Sequence, residues 1–173
     1  MSPLRPAVSP WFGRRFAFDF PVELMPNLLA RLRGTPARLE EAMRGLAEDV
    51  RVQKVDGKWS AQEQAGHLLV MEPLWLARVE DYVRGAEGLT VADLQNRATD
   101  EGRFHERALE DLLAEFRSAR KLLLERASEL PAELYARAIP HPRLKTPFRL
   151  VDHLYFVAEH DDHHLAEIDG LAR

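Results

Sequence analysis

Apolar residues recur at spacings of three and four along most of the chain, and this pattern predicts long amphipathic helices. No stretch alternates convincingly between apolar and polar residues with a period of two, so no β-strand is predicted. We therefore expect an all-α domain, most simply a four-helix bundle. The predicted helices span 22–49 (with an interruption at 34), 60–84, 104–130 and 148–170.

Capping signals suggest where two of these helices begin. Gly34 ends the first amphipathic run, and Thr35-Pro36 has the order of an N-cap residue followed by proline at the first helical position. This region therefore predicts two short helices, or one helix broken at Gly34. Thr146-Pro147 repeats the same order and predicts the start of the last helix.

The second predicted helix has the clearest start. Ser60 and Glu63 form a capping box, in which each side chain satisfies a free backbone amide of the other. Pro73 falls inside this helix and is expected to kink it, because proline cannot donate a backbone hydrogen bond. The short link before this helix favours antiparallel packing of the first two helices as neighbours. The longer links at 85–102 and 131–147 permit crossovers.

The N-terminal residues have a different pattern. Four prolines exclude a continuous helix over 1–21, while five aromatic residues make the segment too apolar for a free tail. We expect an extended arm that lies against the domain or against a second subunit. The predicted organisation is therefore an arm at 1–21 and a single helical domain at 22–173.

Composition narrows the classes of function. A chain of 173 residues fits one domain, and its formal charge of −4 with no basic stripe argues against a nucleic-acid surface. No apolar run predicts a membrane span and no secretory signal is evident, so the expected location is the cytoplasm. Cysteine is absent, which excludes thiolate ligands and a cysteine nucleophile. Any bound metal must therefore use histidine or oxygen ligands.

Four of the seven histidines fall in the last predicted helix. His160 and His164 lie one turn apart on one face, so that their imidazoles can bind the same ion. His67, in the second helix, has the same position at the edge of an apolar face. If these helices pack side by side, three imidazoles can meet inside the bundle. The alternative is three ordinary amphipathic histidines with satisfied hydrogen bonds.

The other histidines fit this site less well. His153 is about two helical turns from His160, too far to bind the same ion, and is a candidate to line a pocket. His163 points away from the strip of histidines and is expected at the surface. Surface positions are also expected for His105, at the start of a helix, and for His141, in a proline-rich loop.

Several non-histidine side chains are candidates for supporting roles. Asp161 and Glu72 fall on apolar helix faces, where a carboxylate needs a partner or a proton. Asp161 is interpreted either as the group that fixes the tautomer of a ligand histidine or as half of a structural ion pair with an arginine. Glu63 caps a helix and could also face the site, one turn before His67. Trp59 is expected to pack against the start of its helix or to form a pocket wall.

Two segments of the sequence, Trp59–Leu68 and Leu150–Ile168, together resemble the DinB-like superfamily, which includes bacillithiol transferases and predicted metal-dependent hydrolases. The resemblance extends over nearly the whole chain. It implies a four-helix bundle with up-down-down-up connectivity, usually assembled as a homodimer. It also implies a divalent ion, nickel or zinc among those associated with the family, held by His67, His160 and His164.

The resemblance favours a thiol-dependent S-transferase that joins a low-molecular-weight thiol to an electrophile in detoxification or stress response. A hydrolase with metal-activated water is the first alternative. The second is a binding module that holds a metal or ligand without catalysis, and the third is a structural dimer that binds metal adventitiously. The residues themselves do not choose between a thiol and water as the small-molecule nucleophile.

Overall fold

A computed structural model describes residues 7–171, and within them it contains seven α-helices, two short β-strands and two single turns of 3-10 helix. Four long helices form a bundle and confirm the predicted fold class. The helices are α1 (Met25–Arg44), α2 (Glu48–Val52), α3 (Ala61–Arg84), α4 (Arg97–Asp100), α5 (Leu109–Ser128), α6 (Ala132–Tyr135) and α7 (Leu150–Leu171); the strands are β1 (Ala138–Pro140) and β2 (Pro147–Arg149); the 3-10 turns are Val22–Leu24 and Phe104–Glu106.

The four long helices occupy the corners of a square. Helix α1 packs against α5 and α7, and α3 packs against the same two helices, so α1 and α3 lie at opposite corners. The prediction that the first two long helices are neighbours is therefore wrong. The link between them includes the short helix α2, and it is long enough to cross the end of the bundle.

Side-chain pairs fix the directions of the helices. The pairs joining α1 to α7 advance in the same order along both helices, as do the pairs joining α3 to α5, so each of these two packings is parallel. The pairs joining α3 to α7 run in opposite orders. The bundle is therefore up-down-down-up, as the resemblance implied. The pairs joining α1 to α7 are Arg31–Glu159 and Arg38–Asp162, those joining α3 to α5 are Glu72–Arg120 and Glu80–Arg126, and those joining α3 to α7 are Gln64–His164 and Trp75–His153.

Helix α1 is unbroken where a break was predicted. It continues through Gly34 and Pro36, and Thr35 is buried inside it instead of capping a new helix. Because Pro36 has no N–H, the carbonyl of Leu32 lacks its usual partner one turn later. The guanidinium of Arg120, from α5, donates to this carbonyl at 3.3 Å. A tertiary contact thus replaces the missing helical hydrogen bond.

Helix α3 follows the prediction closely. The capping box is present, with the Ser60 hydroxyl accepting from the Glu63 amide and the Glu63 carboxylate accepting from the Ser60 amide. The helix continues through Pro73 to Arg84. It ends at Gly85, whose φ of 66° is the left-handed conformation that glycine adopts readily at a helix terminus.

The predicted loop at 131–147 contains a helical turn and most of a hairpin. Strands β1 and β2 pair in antiparallel fashion, but each has three residues, too short for an alternating pattern to be recognised. Pro147 belongs to β2, so Thr146-Pro147 does not cap the last helix. Instead the Asp152 carboxylate accepts the backbone N–H of Arg149 at 2.8 Å, and α7 begins at Leu150.

The N-terminal arm packs along α7 and the strand before it, with contacts that extend from Phe148 to His163. Residues 7–21 contain no helix, and four of their aromatic side chains lie against the apolar cluster built around Trp75 and Phe156. Residues 1–6 of the predicted arm lie outside the described part of the chain. Among the described residues, no helix is long and apolar enough to cross a membrane. The packed aromatic residues are Trp11, Phe16, Phe18 and Phe20.

Candidate metal centre and its cavity

Three histidines converge between α3 and α7. Because these helices are antiparallel neighbours, His67 of α3 lies level with one turn of α7 that carries His160 and His164. The Nε2 atom of His160 is 3.3 Å from that of His67 and 3.1 Å from that of His164. All three side chains are buried. The structure thus brings together the three residues that the sequence singled out.

Hydrogen bonds on the far side of two rings orient these imidazoles. The Nδ1 atom of His164 is 2.6 Å from the side-chain oxygen of Gln64, and the Nδ1 atom of His67 is 2.8 Å from the hydroxyl of Thr99. An Nδ1–H donated to an oxygen leaves the lone pair on Nε2. Both rings therefore direct a metal-binding nitrogen at the common point, and such outer contacts are the usual supports of histidine ligands.

The electrostatics of the cluster favour neutral imidazoles. Burial, with a smaller contribution from His163, lowers the pKa of His67 to about 4. Burial and the neighbouring histidines hold the pKa values of His160 and His164 well below the ordinary value. At neutral pH the three rings are therefore uncharged, which is the form that binds a metal.

The spacing of the nitrogens fits a divalent ion. With zinc–nitrogen bonds of about 2.0–2.1 Å in tetrahedral geometry, two ligand nitrogens are separated by about 3.3 Å. The Nε2 separations of 3.1 and 3.3 Å agree with this value, and the three residues form the only such group of possible ligands within residues 7–171. The buried Nδ1 of His160 has no hydrogen-bond partner in this part of the chain.

A cavity of about 670 Å³ adjoins the three histidines, which form part of its wall. This volume is in the range of small-molecule sites. Much of the remaining wall is aromatic, and cationic side chains also line it. The aromatic lining includes Trp11, Phe12, Trp59, Trp75 and Phe156, and the cationic lining Lys58, Arg78, Arg143 and Lys145.

A sequence profile of the DinB superfamily matches residues 31–168, which is most of the chain. The chain belongs to the DinB superfamily. Its structure is also similar to that of YfiT from Bacillus subtilis, described as a probable metal-dependent hydrolase with an unusual four-helix bundle topology. The TM-score is 0.80, the sequence identity is 18%, and the match covers 92% of each chain, so this likeness establishes the fold. No curated protein matches the chain.

Trp59 lines the cavity of this DinB superfamily protein. Its ring centroid is 4.7 Å from that of His67, and its indole N–H donates to Asp100 at 2.8 Å. Glu63, in contrast, is not part of the cavity wall. Its carboxylate completes the capping box and pairs with Lys54 at 2.9 Å, so the contacts of Glu63 are those of a helix cap.

Asp161 belongs to a different cluster from the histidines. Its carboxylate accepts from Arg120 at 2.5 and 3.0 Å and from the Thr35 hydroxyl at 2.8 Å, and none of the hydrogen bonds found within residues 7–171 joins it to a histidine. Arg120 also pairs with Glu72 at 2.5 Å. Of the two interpretations of Asp161, its contacts therefore match the structural ion pair with an arginine and not the support of a ligand histidine.

Three other histidines lie elsewhere than expected. His153 is fully buried behind the cavity, and its Nε2–H donates to the carbonyl of Trp75 at 3.1 Å, so it does not line the pocket. His163 and His141 were predicted at the surface, but both line the cavity. The arm covers His163, since Trp11 packs against its ring, and the hairpin folds His141 inward. The fourth, His105, is exposed as expected.

The sequence prediction missed Gln64 and Thr99. Gln64 is three residues before His67 on the same side of α3, so its helical position was a usable signal. Thr99 lies in α4, within a link that has no periodic pattern to place it. The end of this link packs closely on α3: the ring of Phe104 lies so near Gly66 that a Cβ atom there would clash with it. Glycine beside His67 therefore allows the approach that carries Thr99 to the site.

Proposed function

We propose that this protein is a metal-dependent enzyme for a small-molecule substrate, with His67, His160 and His164 as ligands of one divalent ion, nickel or zinc. One observation carries the proposal: three uncharged imidazoles converge beside a large cavity, with the Nε2 atom of His160 at 3.1 and 3.3 Å from those of His164 and His67. Three protein ligands leave a coordination position for substrate or water, which distinguishes catalytic from structural sites.

The reaction that we favour is transfer of a low-molecular-weight thiol to an electrophile, as in detoxification or a stress response. A divalent ion at this site would lower the pKa of a thiol or water in contact with it. Because the chain has no cysteine, the thiol comes from a cosubstrate. Its sulfur forms a bond to the electrophilic carbon, the leaving group departs with the bonding electrons, and the thiol proton passes to solvent.

The side chains around the site have defined tasks in this proposal. Gln64 and Thr99 hold two ligand rings in the metal-binding tautomer. Trp59 and Trp75 pack against the imidazoles of His67 and His160, where they exclude water from one side of the site. A partly dry site strengthens the electrostatic effect of a bound ion on the reacting group.

Hydrolysis is the second candidate. It is favoured by the structural similarity to YfiT, which is described as a probable metal-dependent hydrolase. In that reaction the oxygen of water bonds to an electrophilic centre of the substrate, the leaving group departs with the bonding electrons, and a proton of the water passes to the leaving group or to solvent. The same three histidines and the same cavity serve either reaction, so the nucleophile must be identified by experiment.

The first experiment tests the metal site. The protein is purified without a histidine tag, and its metal content is measured beside those of His160→Ala and of His105→Ala, in which an exposed histidine outside the site is changed. We expect a bound divalent ion in the wild type and the control and its loss in His160→Ala, because two remaining imidazoles bind weakly. Equal metal in wild type and His160→Ala would contradict the ligand assignment.

The second experiment identifies the reaction. A panel of low-molecular-weight thiols is mixed with 1-chloro-2,4-dinitrobenzene, and p-nitrophenyl esters are tested separately, with metal-loaded and metal-free protein. We expect metal-dependent thioether formation with at least one thiol. Ester hydrolysis without thiol transfer would favour the hydrolase. A bound metal with neither reaction would favour a non-catalytic binding module.

The proposal also includes assembly as a homodimer, which the family resemblance implies. Sedimentation equilibrium of the full chain measures this directly, because the mass of one chain is 19.8 kDa. We expect the mass of two chains at micromolar concentration. A monomer under these conditions would rule out a stable dimer without affecting the proposed metal site, whose three ligands all come from one chain.

A further inference from the structure

Arg78 is a buried cation on the cavity wall. It is 2% exposed, and none of the ion pairs found within residues 7–171 includes it. Its Nε–H donates to the backbone carbonyl of Thr90 at 2.9 Å. Burial lowers its pKa to about 10, so it still carries its charge at neutral pH. Asp81, one turn further along α3, attracts this charge without contacting it, because the Asp81 carboxylate is bonded to Arg84 and Thr90. A buried charge with no direct ion pair is costly, which suggests that an anion completes this arrangement when it binds.

His141 places a second hydrogen-bond donor beside Arg78. The Nδ1 atom of His141 accepts the backbone N–H groups of Arg143 and Leu144 at 3.2 and 3.1 Å. Burial and the charges of Arg78 and Arg143 lower the pKa of His141 to about 3, so the ring is neutral and its proton lies on Nε2.

The Nε2 atom of His141 is 3.4 Å from Nη1 of Arg78, which is also a donor. Two donors cannot form a hydrogen bond with each other, but one acceptor placed between them can bind both. The pair therefore has the geometry of a site for an anionic oxygen.

Arg143 adds a second positive charge to this part of the wall. Its guanidinium carbon is 5.4 Å from the ring centroid of Phe12 and 5.7 Å from that of Phe156, and its contacts within residues 7–171 include no ion pair. The cavity also carries two carboxylates, Asp93 and Glu167. Asp93 forms an ion pair with Arg97, which is not one of these residues. Glu167 lies near the C-terminal end of α7, whereas Phe156, which contacts Arg143, lies in the N-terminal half of the helix.

We infer that Arg78, His141 and Arg143 form a subsite for a carboxylate group on a substrate with an apolar body. Two arginines without a direct ion pair within residues 7–171 and the Nε2–H of His141 match the charge and the acceptor oxygens of a carboxylate. The aromatic wall suits an apolar body. This inference rests on the proposed function, since it names a substrate class for the same cavity.

The position of Trp75 connects the subsite to the metal centre. Its ring centroid is 5.6 Å from the guanidinium carbon of Arg78 and 5.3 Å from the ring centroid of His160. A molecule with its carboxylate at Arg78 can therefore extend along the indole toward the three histidines. The subsite then fixes which part of the substrate reaches the metal, and this is the way in which a remote charged group contributes to orientation.

A pair of matched probes tests the subsite directly. We would measure the binding of 4-phenylbutyrate and of its neutral amide, 4-phenylbutyramide, by calorimetry with the full-length protein in a chelator. Metal-free protein is used because a carboxylate can also bind a metal ion. We expect the carboxylate to bind roughly 10- to 100-fold more tightly than the amide, the range for hydrogen bonds to charged groups. Equal affinity, or failure to bind either probe, would overturn the inference.

Variants locate the source of the preference. Arg78→Met should abolish it and Arg143→Gln should reduce it, whereas Arg33→Met, which changes an exposed arginine of α1, should leave it unchanged. Circular dichroism and thermal melting verify that each variant folds. If Arg78→Met does not fold, Arg143→Gln decides, and an undiminished carboxylate preference in that variant would overturn the inference.

The same titration separates this inference from the proposed function. In His160→Ala the metal should be lost while the carboxylate preference remains, because the residues of the subsite are unchanged. A preference that is found only in metal-loaded protein and survives both arginine substitutions would assign the anion to the metal ion instead. The metal-content experiment is unaffected by either result.

Discussion

Helix α7 supports two buried polar clusters that lie on different faces of the helix. His160 and Asp161 are neighbours in sequence, but His160 turns toward α3 and joins the three-histidine cluster, while Asp161 turns toward α1 and α5. Both side chains are almost completely buried. The two clusters therefore have similar burial, and the difference between them lies in how completely their polar atoms are satisfied.

The carboxylate cluster is closed. Arg120 donates to Glu72, Asp161 and the carbonyl of Leu32, and the Thr35 hydroxyl gives Asp161 a further bond. Burial raises the pKa of Glu72 to about 7 against the opposing effect of Arg120, and the charge of Asp161 adds a smaller upward contribution, so a proton can take up the excess negative charge. The carboxylates in turn raise the pKa of Arg120. Such a set has no polar atom directed at a ligand.

The histidine cluster is open. The Nε2 atom of His160 lies 3.1–3.3 Å from the Nε2 atoms of His164 and His67, and the Nδ1 of His160 is buried without a partner within residues 7–171. The Nε2 lone pairs of His67 and His164 both point at this place, so a proton or a cation is needed between the rings. The comparison teaches that burial of polar groups does not by itself identify a functional site. Incomplete hydrogen bonding beside a cavity is the more informative sign.

The largest expected effect is on the closed cluster. Replacing Arg120 with leucine leaves Glu72 and Asp161 buried without a countercharge, and the free energy of unfolding should fall by about 3–5 kcal/mol. Urea denaturation measures this loss in the presence of a chelator. The folded fraction of Arg120→Leu should still bind metal, because no hydrogen bond or ion pair found within residues 7–171 joins Arg120 to a histidine ring, and the charge of Arg120 is only a minor cause of the lowered His160 pKa.

Arg117→Leu is the matched control for this substitution. Arg117 is on the same helix and pairs with Glu40 at 2.8 Å, but its side chain is 53% exposed. Exposed ion pairs contribute little, so we expect a much smaller change in stability. Equal destabilisation by the two substitutions would show that the Arg120 cluster is not the structural centre described above.

The second prediction concerns the support of the open cluster. Gln64→Leu removes the oxygen that accepts the Nδ1–H of His164, so the ring is no longer fixed in its metal-binding tautomer. Metal affinity should fall by about 10- to 100-fold, the usual effect of losing such a support. Competition with a chromophoric chelator measures the affinity. Gln53→Leu, at an exposed position, is the control, and unchanged affinity in Gln64→Leu would contradict the assigned role.

The third prediction is that His67 of the histidine cluster and Glu72 of the carboxylate cluster contribute to stability with opposite dependences on pH. Burial lowers the pKa of His67 from 6.5 to about 4, so the unfolded chain takes up a proton first as the pH falls. The stability of metal-free protein should therefore decrease below pH 6.5, by up to about 1.4 kcal/mol per pH unit for this residue. His67→Gln should make the slope shallower between pH 6 and 5 in a chelator, and an unchanged slope would contradict the assignment.

For Glu72 the sign is reversed. Burial raises its pKa from 4.5 to about 7, so the folded protein holds a proton that the unfolded chain releases. Its contribution to stability is present below pH 4.5 and is lost as the pH rises toward 7. Glu72→Gln should remove this trend, which is measured by urea denaturation across the same pH range. A steeper loss of stability with rising pH in Glu72→Gln would show that the sign is wrong.

The comparison between clusters also explains what the sequence could predict. Helical periodicity placed His67, His160 and His164 at the edges of apolar faces, and their long helices then fixed where they meet. The same pattern placed Asp161 and Glu72 inside the bundle. It could not identify Arg120 as their partner, because long-range pairing between helices depends on topology that periodicity does not encode.

Links and short elements limited the prediction most. Thr99 and His141 reach the cavity through α4 and the hairpin, which are too short for a periodic signal. Thr35-Pro36 has the local order of a helix start, yet tertiary contacts override it, since Arg120 satisfies the carbonyl that Pro36 leaves free. Local rules therefore failed where a buried polar contact from another helix replaced the local hydrogen bond.

The smallest expected effect concerns the hydrogen bond between Thr35 and Asp161. Thr35→Val keeps the shape of the side chain but removes the hydroxyl that donates to Asp161 at 2.8 Å. Asp161 retains Arg120, so the loss should be about 1.5 kcal/mol, the lower end for a hydrogen bond to a charged group. Urea denaturation measures it, with Thr146→Val at an exposed position as the control. Because the closed and open clusters share no hydrogen bond, metal affinity should not change. A parallel loss of metal binding in Thr35→Val would instead show that the two sides of α7 are coupled.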